Sequence, residues 1–467
     1  MGAESPNEEC GLFGVWAPGE EVARLIYFGL FAQQHRGQES AGMAVSDGQH
    51  LLVYKELGLV SQVFNEATLT TLQGDLGIGH TRYSTTGSTT WENAQPAFKT
   101  DGERSLALGH NGNLVNTSEL AERVGRTPSG ATTDSDLVAT LLSRRHRDGL
   151  WEAAIDVLPT LEGAFCFVMM DERSVYAARD PHGLRPLSLG RLPNGFCVAS
   201  ETCALDIVGA TYLRDVEPGE LLRIDDRGLH SVPFAQPAGR SLCVFEFVYL
   251  ARADSRIGGR TVYEVRRELG RRLAEEAPAD ADLVIPVPDT GHSAAQGYAE
   301  VSGIPYGEGL MKNRYVGRTF IQPSQSLRER GVKLKLNPIP AAIRGKRLVV
   351  IDDSIVRGTT TRQLVQALRE AGAAEVHTRI TCPPIKWPCF YGIDMSTRQE
   401  LVAADLAVEE IRQFVGADSL GYLSLGGMVA ATGFPEDALC RACFDGEYPI
   451  PIPEGAGKFL LEHPAKS

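Results

Sequence analysis

The 467-residue sequence predicts two units of mixed α and β structure, a sheet-rich α+β first half and an α/β second half with a mainly parallel sheet. Three observations predict it. In the second half, 347–371 and 282–300 repeat one pattern: an apolar run, a short polar loop, then apolar residues at helical spacing. The first half shows alternating or solid apolar runs divided by turn residues, as in GAFCFVMMDERSVYAARDP, FCVASETCAL and GELLRIDDRGL. Between the halves, PFAQPAGR (233–240), rich in proline and small residues, marks a boundary, so the expected units are 10–237 and 238–467.

Composition narrows the function classes. With 43% hydrophobic and 22% charged residues the chain reads as soluble and globular, and no apolar run approaches the ~18 residues of a membrane span. The start, MGAESPNEEC, is acidic and short of apolar residues, unlike a secretory signal. A formal net charge of -13 argues against a general nucleic-acid binder. Nine scattered cysteines do not suggest a disulfide framework, which favours a cytoplasmic protein whose thiols have individual roles.

In chain order, CGLFGVWAP opens with Cys10 at the head of a short apolar strand. By itself such a cysteine is most often a small buried hydrophobe. Its company suggests more: QQHRGQESAG (33–42), GIGHTRYSTTG (77–87), GHNGNLVN (109–116) and TTDSD (132–136) read as polar or glycine-rich corners, where a scaffold carries site residues. Cys166, Cys197 and Cys203 fall in apolar runs and are expected in the core. After the boundary, SLCVFEFVYLARADS reads as strand and RTVYEVRRELGRRLAEEAP as an amphipathic helix ending at Pro278.

The strand-loop-helix at 282–300 carries Pro288, Asp289, Thr290 and Gly291 in its loop, whose backbone N–H groups suit an anion. The one at 347–371 ends its apolar run in Asp352 and Asp353, followed by Ser354, Ile355, Val356, Arg357, Gly358, Thr359, Thr360 and Thr361. Backbone N–H groups, hydroxyls and a helix N-terminus there suit a phosphate monoester. The two acids would repel a bare phosphate and make sense on ribose hydroxyls or on a Mg²⁺ that neutralises pyrophosphate. A polar turn with Ser354 or Thr359 capping the helix explains one hydroxyl but not the run. Between the loops, residues 312–335 carry seven basic residues, Lys312, Arg314, Arg318, Arg328, Arg330, Lys333 and Lys335, against the single acid Glu329. That composition, with its glycines and length, suggests a lid over a polyphosphate.

The Asp352–Asp353 loop resembles the phosphoribosylpyrophosphate (PRPP) signature of type I phosphoribosyltransferases. The first-half motifs resemble glutamine amidotransferases of the N-terminal nucleophile class. Both halves in this order resemble the amidophosphoribosyltransferase family, and its iron–sulfur branch in particular. The resemblance implies an αββα sandwich followed by a phosphoribosyltransferase domain. It implies a propeptide, residues 1–9, removed to make Cys10 the nucleophile with its own α-amino group as base. Asn111 and the Gly112 N–H would form the oxyanion hole, Arg82 would bind the glutamine carboxylate, and Asp134 the α-amino group, with Asp136 as the competing assignment. His80, His35 and Arg36 would be structural. Thr290, Asp352 and Asp353 would hold one Mg²⁺ per subunit, and Asp352–Thr360 would bind PRPP.

The implied reaction is the first committed step of purine biosynthesis: glutamine, water and PRPP give 5-phosphoribosylamine, glutamate and pyrophosphate. An ammonia channel, a homotetramer or dimer, and inhibition by purine nucleotides are implied as well. Cys440 and Cys443 form a C-x-x-C pair that fits zinc, an iron–sulfur cluster or redox chemistry. The family resemblance adds Cys243 and Cys389 and implies one 4Fe-4S cluster per subunit, with zinc as the alternative; Cys382 would be core. Two other functions compete. A PRPP-sensing regulator would need a DNA-binding module, and no basic helix-turn-helix pattern is visible. An amidotransferase acting on another acceptor would not need the PRPP loop.

Overall fold

The computed structural model describes residues 9–83, 87–102, 104–125, 130–313, 336–395, 397–453 and 461. The first half contains two antiparallel sheets stacked face to face. One has seven strands, with Gly11–Trp16 at its centre between Gly195–Ala199 and Leu76–Arg82. The other has six, with Gly163–Met170 paired to Ser105–Leu114 and Val175–Arg179. Leu12, Val168, Ala177 and Val198 pack between the sheets. Helix Val22–Ala32 covers the outer face of the seven-stranded sheet through Ile26 and Leu30, and helices Asp134–Arg145 and Leu150–Val157 cover the six-stranded one. Both sheets are therefore buried on two faces, which is why their strands read as solid apolar runs instead of alternating ones. This is the expected αββα sandwich.

The second half is built on a parallel sheet in the order Leu283–Pro286, Arg347–Asp352, Glu375–Ile380, Ser419–Tyr422. Helices Val262–Glu276 and Gly291–Ser302 pack on one face, and Thr359–Glu370 and Val408–Val415 on the other. Among the described residues no helix is long and apolar enough to cross a membrane.

Three local expectations are corrected. GIGHTR and GHNGNL are not corners but lie inside the strands Leu76–Arg82 and Ser105–Leu114. Their glycines serve close packing: a Cβ on Gly79 would stand 2.4 Å from Ile26 Cγ2, and one on Gly109 3.0 Å from Leu12 Cδ2. SLCVFEFVYLARADS holds only the two-residue strand Leu242–Cys243, then a π-helical turn, Glu246–Leu250. A solid apolar run does not distinguish strand from helix. Here Arg266 decides, donating to the carbonyls of Phe247 and Ala251 at 2.8 Å each. Cys203 sits on helix Thr202–Ile207 instead of a strand, and it is buried, as are Cys166, Cys197 and Cys382.

Candidate active site

Cys10 leads into Gly11–Trp16, and the neighbouring strand ends at Arg82. The facing sheet supplies Asn111 and Gly112, and helix Asp134–Arg145 supplies its first residue. Cys10, Arg82, Gly112 and Asp134 line one cavity of about 10 Å³. Four sequence-distant segments thus bring four of the five expected residues together, and Asn111 stands next to Gly112.

The Cys10 thiol is 5% exposed and donates to the Tyr83 carbonyl at 3.4 Å. Burial pushes its pKa up to about 12, against the opposing pull of that hydrogen bond and of Arg82. The Asn111 side chain is buried, and neither its Nδ2 nor its Oδ1 has a hydrogen-bond partner among the described residues. Gly112 has φ +141°, and a Cβ there would stand 2.1 Å from the Ala164 carbonyl oxygen, so only glycine fits. Asp134 accepts from the N–H groups of Leu114 at 3.1 Å and Ser135 at 2.8 Å. Burial alone would raise its pKa, but His110 and these donors hold it below the usual carboxylate range. Asp136 turns away and pairs with Lys99 at 2.7 Å. Gln95, His110 and Ser135 also line the cavity without having been singled out; His110 lies within GHNGN, the one signal that could have flagged it.

His35 and Arg36 are away from this cavity, in a buried ionic network. Arg36 meets Glu201 at 2.8 Å, Glu246 at 2.7 Å and Glu9 at 3.4 Å, and His35 meets Glu201 at 2.7 Å. Arg185 also pairs with Glu9, the only described residue of 1–9. His80 is fully buried, which lowers its pKa to about 3, and its Nε2 bonds the His110 carbonyl at 2.9 Å.

The second site lies where two parallel strands end. Thr290 donates to Asp353 Oδ1 and Ser354 to Asp353 Oδ2, both at 2.6 Å. Burial and the adjacent Asp353 raise Asp352 well above the usual carboxylate range, and burial raises Asp353 as well. Two adjacent acids raised in this way suit a cation. Gly358, at φ +78°, caps helix Thr359–Glu370, where the buried Thr359 hydroxyl has no hydrogen-bond partner. Ile355 and Val356 put their side chains into the core, leaving only backbone to face a ligand. Arg357 pairs with Glu400 at 2.7 Å, and Lys312 pairs with Asp289. Of the expected lid, 314–335 lies outside the described residues.

The comparisons with known proteins follow this geometry. A family profile described as a glutamine amidotransferase domain matches residues 80–206. The amidophosphoribosyltransferase of Mycobacterium tuberculosis is 60% identical over 98% of this chain and 90% of its own length. The chain belongs to the amidophosphoribosyltransferase family. The Bacillus subtilis amidophosphoribosyltransferase is 49% identical over 96% of this chain and 95% of its own. A structure of the B. subtilis glutamine PRPP amidotransferase complexed with ADP and GMP superposes with a TM-score of 0.90 at 48% identity, covering 96% of this chain and 99% of that one.

This amidophosphoribosyltransferase-family chain also gathers its four C-terminal thiols. Cys243 and Cys440 face each other across a two-stranded parallel pair. The Cys443 carbonyl accepts from the N–H groups of Lys386 at 3.0 Å and Trp387 at 3.1 Å, which anchors the segment leading to Cys389. None is in a disulfide. Burial raises all four thiols, Cys440 to about 12, and Cys243, Cys389 and Cys440 are near enough to Cys443 to push it further. Among the described residues no three His, Cys, Asp or Glu side chains are drawn tightly enough together for a single metal ion.

Proposed function

We propose that residues 10–237 hydrolyse glutamine at Cys10, and that residues 238–467 use the ammonia to convert PRPP into 5-phosphoribosylamine and pyrophosphate. The observation that carries this reading is the convergence of Cys10, Arg82, Gly112 and Asp134 on one cavity, with the Asn111 amide beside it lacking a hydrogen-bond partner among the described residues. Removal of residues 1–9 frees the Cys10 α-amino group, a base of pKa about 8, to take the thiol proton. The thiolate attacks the glutamine amide carbon, and the tetrahedral oxyanion falls to Asn111 Nδ2 and the Gly112 N–H. Collapse expels ammonia and leaves a thioester, which water cleaves to glutamate. Arg82 and Asp134 hold the substrate's carboxylate and amino groups.

In the transferase half, the helix start at Thr359 and the 354–360 backbone cradle the 5-phosphate, while Asp352 and Asp353 face the ribose. Thr290, Asp352 and Asp353 would hold Mg²⁺, which offsets pyrophosphate charge when bound. Ammonia attacks ribose C1 as the C1–oxygen bond to pyrophosphate breaks. The four thiols would hold a 4Fe-4S cluster, placing the chain in the iron–sulfur branch. Iron analysis of anaerobically purified protein tests this; stoichiometric zinc in active, colourless protein refutes it.

Cytoplasmic location, a homo-oligomer, an ammonia passage and purine-nucleotide inhibition complete the proposal. The last is supported by the ADP and GMP complex of the B. subtilis relative. The deciding experiment is Cys10→Ala: glutamine-dependent turnover should fall by roughly 10³-fold or more, with synthesis from free ammonia retained. Intact mass of the active enzyme reports whether residues 1–9 are gone.

A further inference from the structure

The strand that carries the oxyanion donors does not end its contacts inside its own half. Asn113, the residue after Gly112, donates through Nδ2 to the carbonyl of Phe390 at 2.9 Å. Two residues on, Gly392 sits against Gly112 itself: a Cβ on Gly392 would stand 3.2 Å from both Cα and C of Gly112 and 3.3 Å from Arg185 Nη2. Gly392 has φ +118°, a conformation open to glycine and strained for other residues. Between them, the Tyr391 carbonyl accepts from Arg185 Nε at 3.1 Å and Nη2 at 2.7 Å, and Arg185 is fully buried. The loop begins at Cys389, whose Sγ accepts from the Tyr391 N–H at 3.4 Å.

We propose that loop 389–392 is a positioning element of the oxyanion hole, with Gly392 as the residue that fixes where the Gly112 N–H stands. This rests on the reading of Cys10 and Gly112 as the glutaminase centre. The physical case is direct. Oxyanion donors work only when preorganised, and losing one costs roughly 10²–10³ in kcat. Gly112 is held from one side by the Ala164 carbonyl, which leaves no room for a Cβ, and from the other by Gly392. A backbone clamped between two walls keeps its N–H direction; moving either wall by a few tenths of an ångström redirects it. Cys389 opens one of those walls, so whatever its thiol binds adjusts the glutamine site through a single loop.

The test is Gly392→Ala in the full chain, assayed with glutamine and, separately, with ammonia. The expected result is a drop in glutamine-dependent kcat of roughly tenfold or more. KM for glutamine and the ammonia-dependent rate should stay within about twofold, since the donor acts in the transition state and not in ground-state binding. Asn113→Ala, which removes the bond to Phe390 without introducing strain, should give the same split at roughly threefold or more, and it decides the matter if Gly392→Ala does not fold. An unchanged glutamine kcat in the deciding variant, or a parallel fall with both nitrogen sources, overturns the proposal. Cys10→Ala separates the levels: if it retains glutamine hydrolysis, the glutaminase reading itself fails.

Discussion

The two sites solve the problem of creating charge inside a protein in opposite ways. At Cys10 the nucleophile is 5% exposed, and Asp134 and the oxyanion strand are fixed by backbone donors and packed glycines. At Asp352 and Asp353 the strands end at an open edge, where the flanking Asp289 and Lys312 side chains are 70% and 45% exposed. The Cys10 site supplies its own donors, whereas the second site holds two adjacent acids, both raised by burial and Asp352 further by Asp353. Preorganisation is therefore built into the glutamine half, and the transferase half completes its site with what it binds.

That contrast can be broken at several points. The largest effect concerns the thiol before processing. With its pKa pushed from 9.0 to about 12, the uncut chain should hold roughly 10³-fold less Cys10 thiolate near neutral pH than an ordinary cysteine. Alkylation of Cys10 in uncut protein should accelerate about tenfold per pH unit up to at least pH 10; a plateau between pH 8 and 9 would show that burial does not control the group. Next, Asp353→Asn should lower both the glutamine- and the ammonia-dependent rates by roughly 10²-fold, because both nitrogen sources share one acceptor site. Survival of the ammonia reaction would remove Asp353 from that site. The smallest effect separates two neighbours: Asp134→Asn should raise KM for glutamine about tenfold, whereas Asp136→Asn, which weakens the ion pair with Lys99, should leave KM within about twofold. The reverse ranking would move the amino-group contact to Asp136.

What the sequence made legible followed from how local each feature is. The Asp352–Thr361 loop could be read because strand, loop and helix are contiguous, and the structure matches that order. Cys10, Asn111 and Asp134 were reachable only through motif resemblance, since they meet across three separate segments. GIGHTR and GHNGNL looked like corners because glycine signals both turns and close packing, and only the facing Ile26 and Leu12 distinguish the two. The contacts joining the halves were beyond reach: Arg36 to Glu246 spans 210 positions, Arg185 to Tyr391 spans 206 and Asn113 to Phe390 spans 277. No periodicity encodes pairs so far apart.

The network around Arg36 and Arg185 bears on the proposed removal of residues 1–9. In the uncut chain three buried carboxylates, Glu9, Glu201 and Glu246, share two guanidiniums, and burial together with the nearby Glu246 raises the pKa of Glu9 well above the usual range. Excision after Glu9 would leave one carboxylate for each guanidinium. The leaving segment would carry away the carboxyl group that burial disfavours as an anion, and the strand that keeps Cys10 would stay behind in a matched ionic pocket. The departed acidic end would then face neutralised partners and a desolvation penalty on return, so the cut would act as an electrostatic ratchet.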